Sequence, residues 1–181
     1  MEDFALTLLR VTVGLLFVGH GTQKLFGWLN GDGPEGTAEA FAKMRVKEPR
    51  VAAYAVGTSE LGDGALLALG LLTPLASAAL LGVMLGAIVL AHWPKFWVQH
   101  GGFEYAFVNA VIVTMFGLMG PGAWSLDEAF GTESVLDHPI TYLVAALIAA
   151  AAVAGLAWQR EPSHERWQRP SDSGRLASQG R

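Results

Sequence analysis

The chain has 181 residues, of which 52% are hydrophobic and only 15% are charged, and its formal net charge is −4. This mild negative charge argues against nucleic acid as a partner, and the absence of cysteine excludes disulfides, thiolate catalysis and iron–sulfur ligation by this chain. Two apolar runs, 75–91 and 140–158, contain no charged residue and approach the roughly 20 residues that cross a bilayer. The composition therefore predicts an all-α polytopic membrane protein.

Five segments are predicted to form membrane-spanning helices. In chain order they are 4–28, 51–72, 75–93, 103–119 and 140–158. The third and fifth are uniformly apolar, whereas the first and second contain charged residues. The N-terminus does not resemble a signal peptide, because Glu2 and Asp3 replace the usual basic start. The first segment is therefore expected to stay in the protein as a span.

The connecting segments contain shorter predicted elements. Residues 29–50 are predicted to include a short helix capped by Thr37, which lies in the membrane interface as a lid. The Thr73-Pro74 pair predicts a turn so short that the flanking helices must be adjacent and antiparallel. Ser125 and Glu128 have the spacing of a capping box, which predicts a short helix before the fifth span.

The distribution of basic residues predicts the orientation in the membrane. If the C-terminal tail is cytoplasmic and there are five spans, eleven of the 12 lysine and arginine residues fall on the cytoplasmic side. The remaining one, Arg10, is predicted to snorkel to the outer interface and to need no partner. We therefore expect the N-terminus outside and the C-terminus in the cytoplasm.

Polar residues that are costly in a membrane are predicted to lie at one depth, in the cytoplasmic half. His20, Gln23 and Lys24 share one face of the first span because of their i, i+3 and i+4 spacing. Glu60 and Asp63 fall at a matching depth, since the second span begins where the first ends. The third span ends and the fourth begins on the same side, adding His92, Trp93 and Glu104. Carboxylates in hydrocarbon must pair with a cation or be protonated, so these spans are predicted to converge on one site.

The predicted site suits the binding of a quinone. In this interpretation Glu60 and Glu104 are the catalytic residues, which handle protons during reduction. The binding residues supply hydrogen-bond donors and apolar walls; they are His20, Gln23, Lys24, Asp63, His92 and Trp93. A metal site is disfavoured, because no predicted helix contains His and Glu at a metal-binding spacing.

Three other interpretations stay open. The carboxylate and lysine pairs could serve only to set the helix register, with His92 as an interfacial residue. The chain could be a non-enzymatic membrane anchor or assembly subunit whose tail recruits soluble proteins. It could also be a small proton-coupled transporter, although the sequence shows no evident inverted repeat.

Several motifs resemble those of the DoxX family of small bacterial membrane proteins. Between residues 8 and 127 they follow one another as LLRVTVGLLFVGHGTQKLFGW, GTSELGDGALLALGLLTPLA, HWPKFW, GGFEY and GPGAWSLD. The resemblance implies a four-helix transmembrane bundle in the cytoplasmic membrane. It also implies a link to quinones, because some relatives are subunits of a thiosulfate:quinone oxidoreductase. A soluble redox partner is then expected, since this chain contains no redox centre of its own.

The chain is predicted to consist of three parts. Residues 1–130 are predicted to form the DoxX-like four-helix core with its interfacial loop helices. Residues 131–159 are predicted to add a fifth transmembrane helix, which departs from the usual family pattern. Residues 160–181 are predicted to form a disordered cytoplasmic tail.

Overall fold

The computed structural model describes residues 1–131 and 139–159, and every regular element within these two stretches is helical. The α-helices are α1 (Glu2–Phe26), α2 (Gly33–Lys43), α3 (Pro49–Leu69), α4 (Thr73–Gly86), α5 (Glu104–Met119), α6 (Leu126–Phe130) and α7 (Pro139–Trp158). A π-helical segment, Ala87–His92, continues α4, and a short 3-10 turn, Val98–His100, precedes α5. The predicted tail at 160–181 lies outside the described residues.

Helices α1, α3, α4 and α5 form a bundle around one apolar core. Its buried side chains come from all four helices; they are Val13, Phe17, Leu67, Leu80, Met84, Ala106, Ala110, Val113 and Phe116. Helix α7 packs on the outside, mainly against α4. Tyr142, its buried residue, donates a hydrogen bond to the Thr114 hydroxyl at 2.9 Å. The predicted fold, a four-helix core with an added C-terminal helix, is confirmed.

Glycines bring α1 and α3 into the closest helix contact of the bundle. A Cβ atom on Gly14 would lie 2.6 Å from the Gly64 carbonyl oxygen, and one on Gly21 would lie 2.5 Å from the Leu61 nitrogen. A Cβ atom on Gly64 would in turn lie 2.8 Å from the Cβ of Phe17. Small residues permit such close backbone approach between membrane helices. The contact therefore determines which polar residues of α1 face α3.

Two of the three predicted connections match the structure. Helix α3 ends at Gly70, whose φ of 66° is left-handed, and α4 begins at Thr73, so the predicted tight turn is confirmed. In α6 the Ser125 side chain accepts a hydrogen bond from the Glu128 N–H at 3.1 Å, as expected for an N-cap. Helix α2 exists, but the predicted cap at Thr37 is wrong. That residue lies inside the helix, where its hydroxyl donates to a carbonyl oxygen of the preceding turn at 2.7 Å.

Arg10 does not snorkel to the membrane interface, and the prediction that it needs no partner is wrong. Its side chain is 1% exposed and its guanidinium donates to the carbonyl oxygens of Pro121 and Trp124. Asp127, also buried, accepts hydrogen bonds from the N–H and the hydroxyl of Thr73. The prediction failed because hydrogen bonds from the two terminal guanidinium nitrogens to protein carbonyl oxygens offset much of the cost of burial, although Nε has no partner. Together the two charges fasten the α5–α6 connection to α1 and to the α3–α4 turn.

Three helices in the described part of the chain are long and apolar enough to cross a membrane. They are α1, α4 with its π-helical segment, and α7. Helix α5 is apolar but has only 16 residues, a length of about 24 Å. Helix α3 has 21 residues but is more polar, since Glu60 and Asp63 lie within it. The chain is thus an integral membrane protein with several apolar helices, and the count of five spans and the orientation stay predictions.

The close contact between α1 and α3 predicts opposite effects for two neighbouring glycines. We expect Gly64→Ala to lower the free energy of unfolding by about 1–3 kcal/mol, because the helices must separate to admit the methyl group. Gly62→Ala should leave stability unchanged or raise it, since a Cβ atom there meets nothing within 4 Å and alanine favours helix. Thermal unfolding in detergent, followed by circular dichroism, measures both. Equal unfolding midpoints for the two variants would contradict the close contact.

Candidate functional site

An ion pair between α1 and α3 lies at the centre of the predicted site. Lys24 Nζ is 2.6 Å from Glu60 Oε2. Glu60 is 4% exposed, and the Lys24 side chain is 27% exposed. One turn before these residues, Gly21 lets the α3 backbone approach α1, and Gly57 gives space to the Leu25 side chain. A buried carboxylate without a partner is strongly unfavourable, so the ammonium group of Lys24 offsets the desolvation free energy of Glu60.

Two cavities adjoin this ion pair. The first, which we name the polar cavity, has a volume of about 320 Å³ and lies among α1, α3, the π-helical segment and α5. Its polar lining residues are His20, Lys24, Glu60, His92, Tyr105 and Asn109. The second, which we name the apolar cleft, has a volume of about 490 Å³ and lies among α2, α3, α4 and α7. Lys24 and Glu60 line both spaces and therefore form part of the boundary between them.

Hydrogen bonds orient the two histidines of the polar cavity. His20 Nδ1 lies 3.2 Å from Gln23 Oε1, and Gln23 Nε2 donates to the Leu29 carbonyl oxygen at 3.1 Å. His92 Nδ1 lies 2.9 Å from the Gly101 carbonyl oxygen. Both partners are acceptors, so we infer that each neutral ring bears its hydrogen on Nδ1. Nε2 is then the atom that accepts a hydrogen bond or takes up a proton at each histidine.

The π-helical segment accounts for the position of His92. Its wider turn is closed by a hydrogen bond from the Trp93 N–H to the Ile88 carbonyl oxygen at 2.9 Å. Isolated π-helical turns within α-helices are frequent at functional sites. Here the segment places both Ala87 and His92 on the wall of the polar cavity.

Four of the eight predicted site residues do not line the polar cavity: Gln23, Asp63, Trp93 and Glu104. Glu104 accepts a hydrogen bond from the Val98 N–H at 3.1 Å and so stabilises the turn before α5. Asp63 accepts a hydrogen bond from the Ser59 hydroxyl at 2.6 Å, within α3. Trp93 is 67% exposed and stacks on a neighbouring aromatic ring. The structure therefore brings together His20, Lys24, Glu60 and His92, with Gln23 behind His20, and their chemical roles stay predictions.

Two polar residues of α5 line the polar cavity and were not among the predicted site residues. Asn109 is 6% exposed, and its Nδ2 donates to the Tyr105 carbonyl oxygen at 2.9 Å. The Tyr105 ring meets His20 edge-on, with ring centroids 6.2 Å apart. An amide in the middle of an apolar segment is costly in a membrane, so Asn109 could have been identified by the same reasoning that selected Glu60.

The donor set suits a small polar group with hydrogen-bond acceptors. Lys24 has ammonium hydrogens beyond the one directed at Glu60, and the walls include the apolar side chains Leu16, Phe17 and Met84. Among residues 1–131 and 139–159, no three His, Asp or Glu side chains are grouped closely enough to hold a metal ion. The arrangement can bind, orient and exchange a proton with a ligand of modest size.

Comparisons with known proteins assign the family. The model of the DoxX family matches residues 5–93. The chain is also 34% identical over 133 residues to the uncharacterized membrane protein Rv3486 of Mycobacterium tuberculosis, covering 66% of this chain and 77% of that protein. The chain belongs to the DoxX family. The matched DoxX region includes His20, Lys24, Glu60 and His92 but ends before α5. No solved structure matches the chain significantly.

Two ion pairs of the chain are expected to differ strongly in their contribution to stability. We expect Lys24→Met to lower the free energy of unfolding by about 3 kcal/mol, because it leaves a buried carboxylate uncompensated. The matched control is Arg50→Met, which removes the exposed pair between Arg50 and Glu35, whose side chains are 75% and 70% exposed. Exposed pairs contribute about 0–1 kcal/mol. The measurement is thermal unfolding of each purified variant in detergent.

A second substitution distinguishes charge compensation from lost packing. Adding Glu60→Gln to Lys24→Met removes the uncompensated charge and should restore part of the lost stability. Identical unfolding midpoints for Lys24→Met and Arg50→Met would show that the Lys24–Glu60 pair is not a constraint on the fold.

Proposed function

We propose that this DoxX-family protein is a quinone-interacting membrane subunit of an oxidoreductase system that works with a soluble redox partner. The observation that supports this function is the polar cavity, which sets a buried carboxylate, an ammonium group and two imidazoles against apolar walls. A quinone headgroup combines carbonyl oxygens, which accept hydrogen bonds, with a flat ring that packs on apolar side chains. The cavity residues fit both features.

The cavity offers a donor of fixed charge and others that depend on protonation. Lys24 retains ammonium hydrogens that can reach a carbonyl oxygen while it stays paired with Glu60. His20 and His92 would donate through Nε2 only after each ring has taken up a proton, since Nδ1 is already directed at another acceptor. A volume of about 320 Å³ lies at the lower end of small-molecule sites and suits a headgroup.

We assign proton exchange in this site to Glu60 and His20, which line the polar cavity together with Lys24. When bound, a quinone accepts two electrons and two protons, and the electrons must come from a partner because the chain has no redox centre. Glu60 is held against the ammonium group at the cavity wall, where it can give up or receive a proton. Gln23 holds one side of the His20 ring, so that Nε2 is the atom left to exchange a proton. The proton-handling role of Glu104 stays a prediction.

Co-purification of quinone tests this function. The protein is extracted from membranes in mild detergent, and bound quinone is measured per protein by chromatography of an organic extract. We expect bound quinone in the wild type and about a tenth or less of that amount in Glu60→Gln and His20→Ala. Glu60→Gln removes the charged partner of Lys24, and His20→Ala removes the imidazole that faces the ligand. Glu35→Gln is the matched control, because this carboxylate belongs to an exposed ion pair away from the cavity.

The other outcomes identify the competing functions. A stable wild-type protein that contains no quinone and binds none on titration would contradict the proposal. If the only phenotype then followed deletion of residues 160–181, the protein would be an anchor or assembly subunit. Accumulation of a solute in vesicles would make it a transporter.

A further inference from the structure

We propose that the apolar cleft binds the isoprenoid tail of a membrane quinone whose headgroup lies in the polar cavity. This inference rests on the proposed function and specifies its substrate class, a quinone with a tail of several isoprenoid units. The opening of the cleft would then be the route by which the ligand enters from the bilayer.

Continuity of the two spaces is the first argument. Lys24, Glu60, Ala87 and His92 line both the polar cavity and the apolar cleft. A molecule in contact with the ion pair can therefore extend in two directions, towards hydrogen-bond donors on one side and towards hydrocarbon on the other. The polar cavity, at about 320 Å³, leaves little room for more than a headgroup, whereas the cleft adds about 490 Å³.

The composition of the cleft is the second argument. Away from the three residues Lys24, Glu60 and His92, its lining side chains are apolar or glycine. Alanines on opposite walls, Ala55 of α3 and Ala152 of α7, leave space at the opening. An apolar space of this kind gives water no hydrogen-bond partners, so hydrocarbon is the favoured occupant.

The position of the cleft in the fold is the third argument. One wall is formed by α7 and by α4 with its π-helical segment, each long and apolar enough to cross a membrane, so we place the cleft at membrane depth. The cleft is lined at α2 by Phe41, and just after α2 by Met44 and Val46. A lipid acyl chain would meet the same walls, but under the proposed function a quinone tail is covalently joined to the headgroup in the polar cavity. The tail and the headgroup should therefore bind as one ligand.

The experiment compares two quinones that share one headgroup and differ in tail length. One has a single isoprenoid unit and the other has several, and both benzoquinone and naphthoquinone pairs are used. Each is titrated into detergent-solubilised wild type, Ala152→Phe and Ala151→Phe. The phenylalanine at 152 narrows the cleft, whereas Ala151, its exposed neighbour on α7, does not line it and serves as the matched control.

The expected result concerns the ratio of the two dissociation constants. Wild type and Ala151→Phe should bind the long-tailed quinone more tightly than the short-tailed one. In Ala152→Phe that advantage should fall by about tenfold while short-tail binding changes by less than about twofold, since each buried methylene contributes about 0.8 kcal/mol. Partition of the long tail into micelles is the same for all three proteins and cancels in the comparison. Ala55→Phe, on the opposite wall, should reproduce the effect, and unchanged unfolding midpoints verify folding.

Two failures are distinguishable. If short-tailed quinone binds and the tail advantage persists in Ala152→Phe and Ala55→Phe, the tail binds outside the cleft and the tail assignment is wrong, while the proposed function stands. If the wild type binds neither quinone, both the proposed function and the tail assignment are overturned.

Discussion

The ion pair between Lys24 and Glu60 is the constraint on which the arrangement of the site depends. A carboxylate that is 4% exposed within the helix bundle needs a cation, and the cation comes from a different helix. The pairing requires α1 and α3 to lie close together and in register, which the glycines at 14, 21 and 64 make possible. Packing between the two helices and charge compensation across them thus favour the same geometry.

The buried charged groups at the two ends of the bundle have different kinds of hydrogen-bond partner. At one end Arg10 is bonded to backbone carbonyl oxygens and Asp127 to the backbone and side chain at the start of α4, so these charges join loops to helices. At the other end Lys24 keeps donors beyond Glu60, and two imidazoles present Nε2 to a cavity. The first arrangement directs the two terminal guanidinium nitrogens and both carboxylate oxygens at groups of the fold, although Arg10 Nε has no hydrogen-bond partner. The second leaves capacity for a ligand, which is why we assign function to that end.

The errors of sequence reasoning have a common cause. Arg10 was expected at the interface, because the carbonyl oxygens that satisfy it belong to a loop more than a hundred residues away in sequence. Glu104 and Trp93 lie at the same end of the bundle as the polar cavity without lining it, and their roles stay predictions. Asn109, a buried amide within an apolar segment, was not among the predicted residues. Depth along a helix follows from counting residues, whereas the direction of a side chain around the bundle depends on how the helices are rotated.

The sequence by itself determined that this is an all-α membrane protein, where its principal helices lie, and that costly polar residues gather near one end. Those properties follow from apolar runs, from turn residues and from the helical rise, which are local. The tertiary structure decided that Lys24 pairs with Glu60, that only four of the eight predicted residues line one cavity, and that an apolar cleft adjoins it. These facts depend on how the packed helices are rotated and how far apart they lie. Both are determined by contacts between side chains that are distant in sequence.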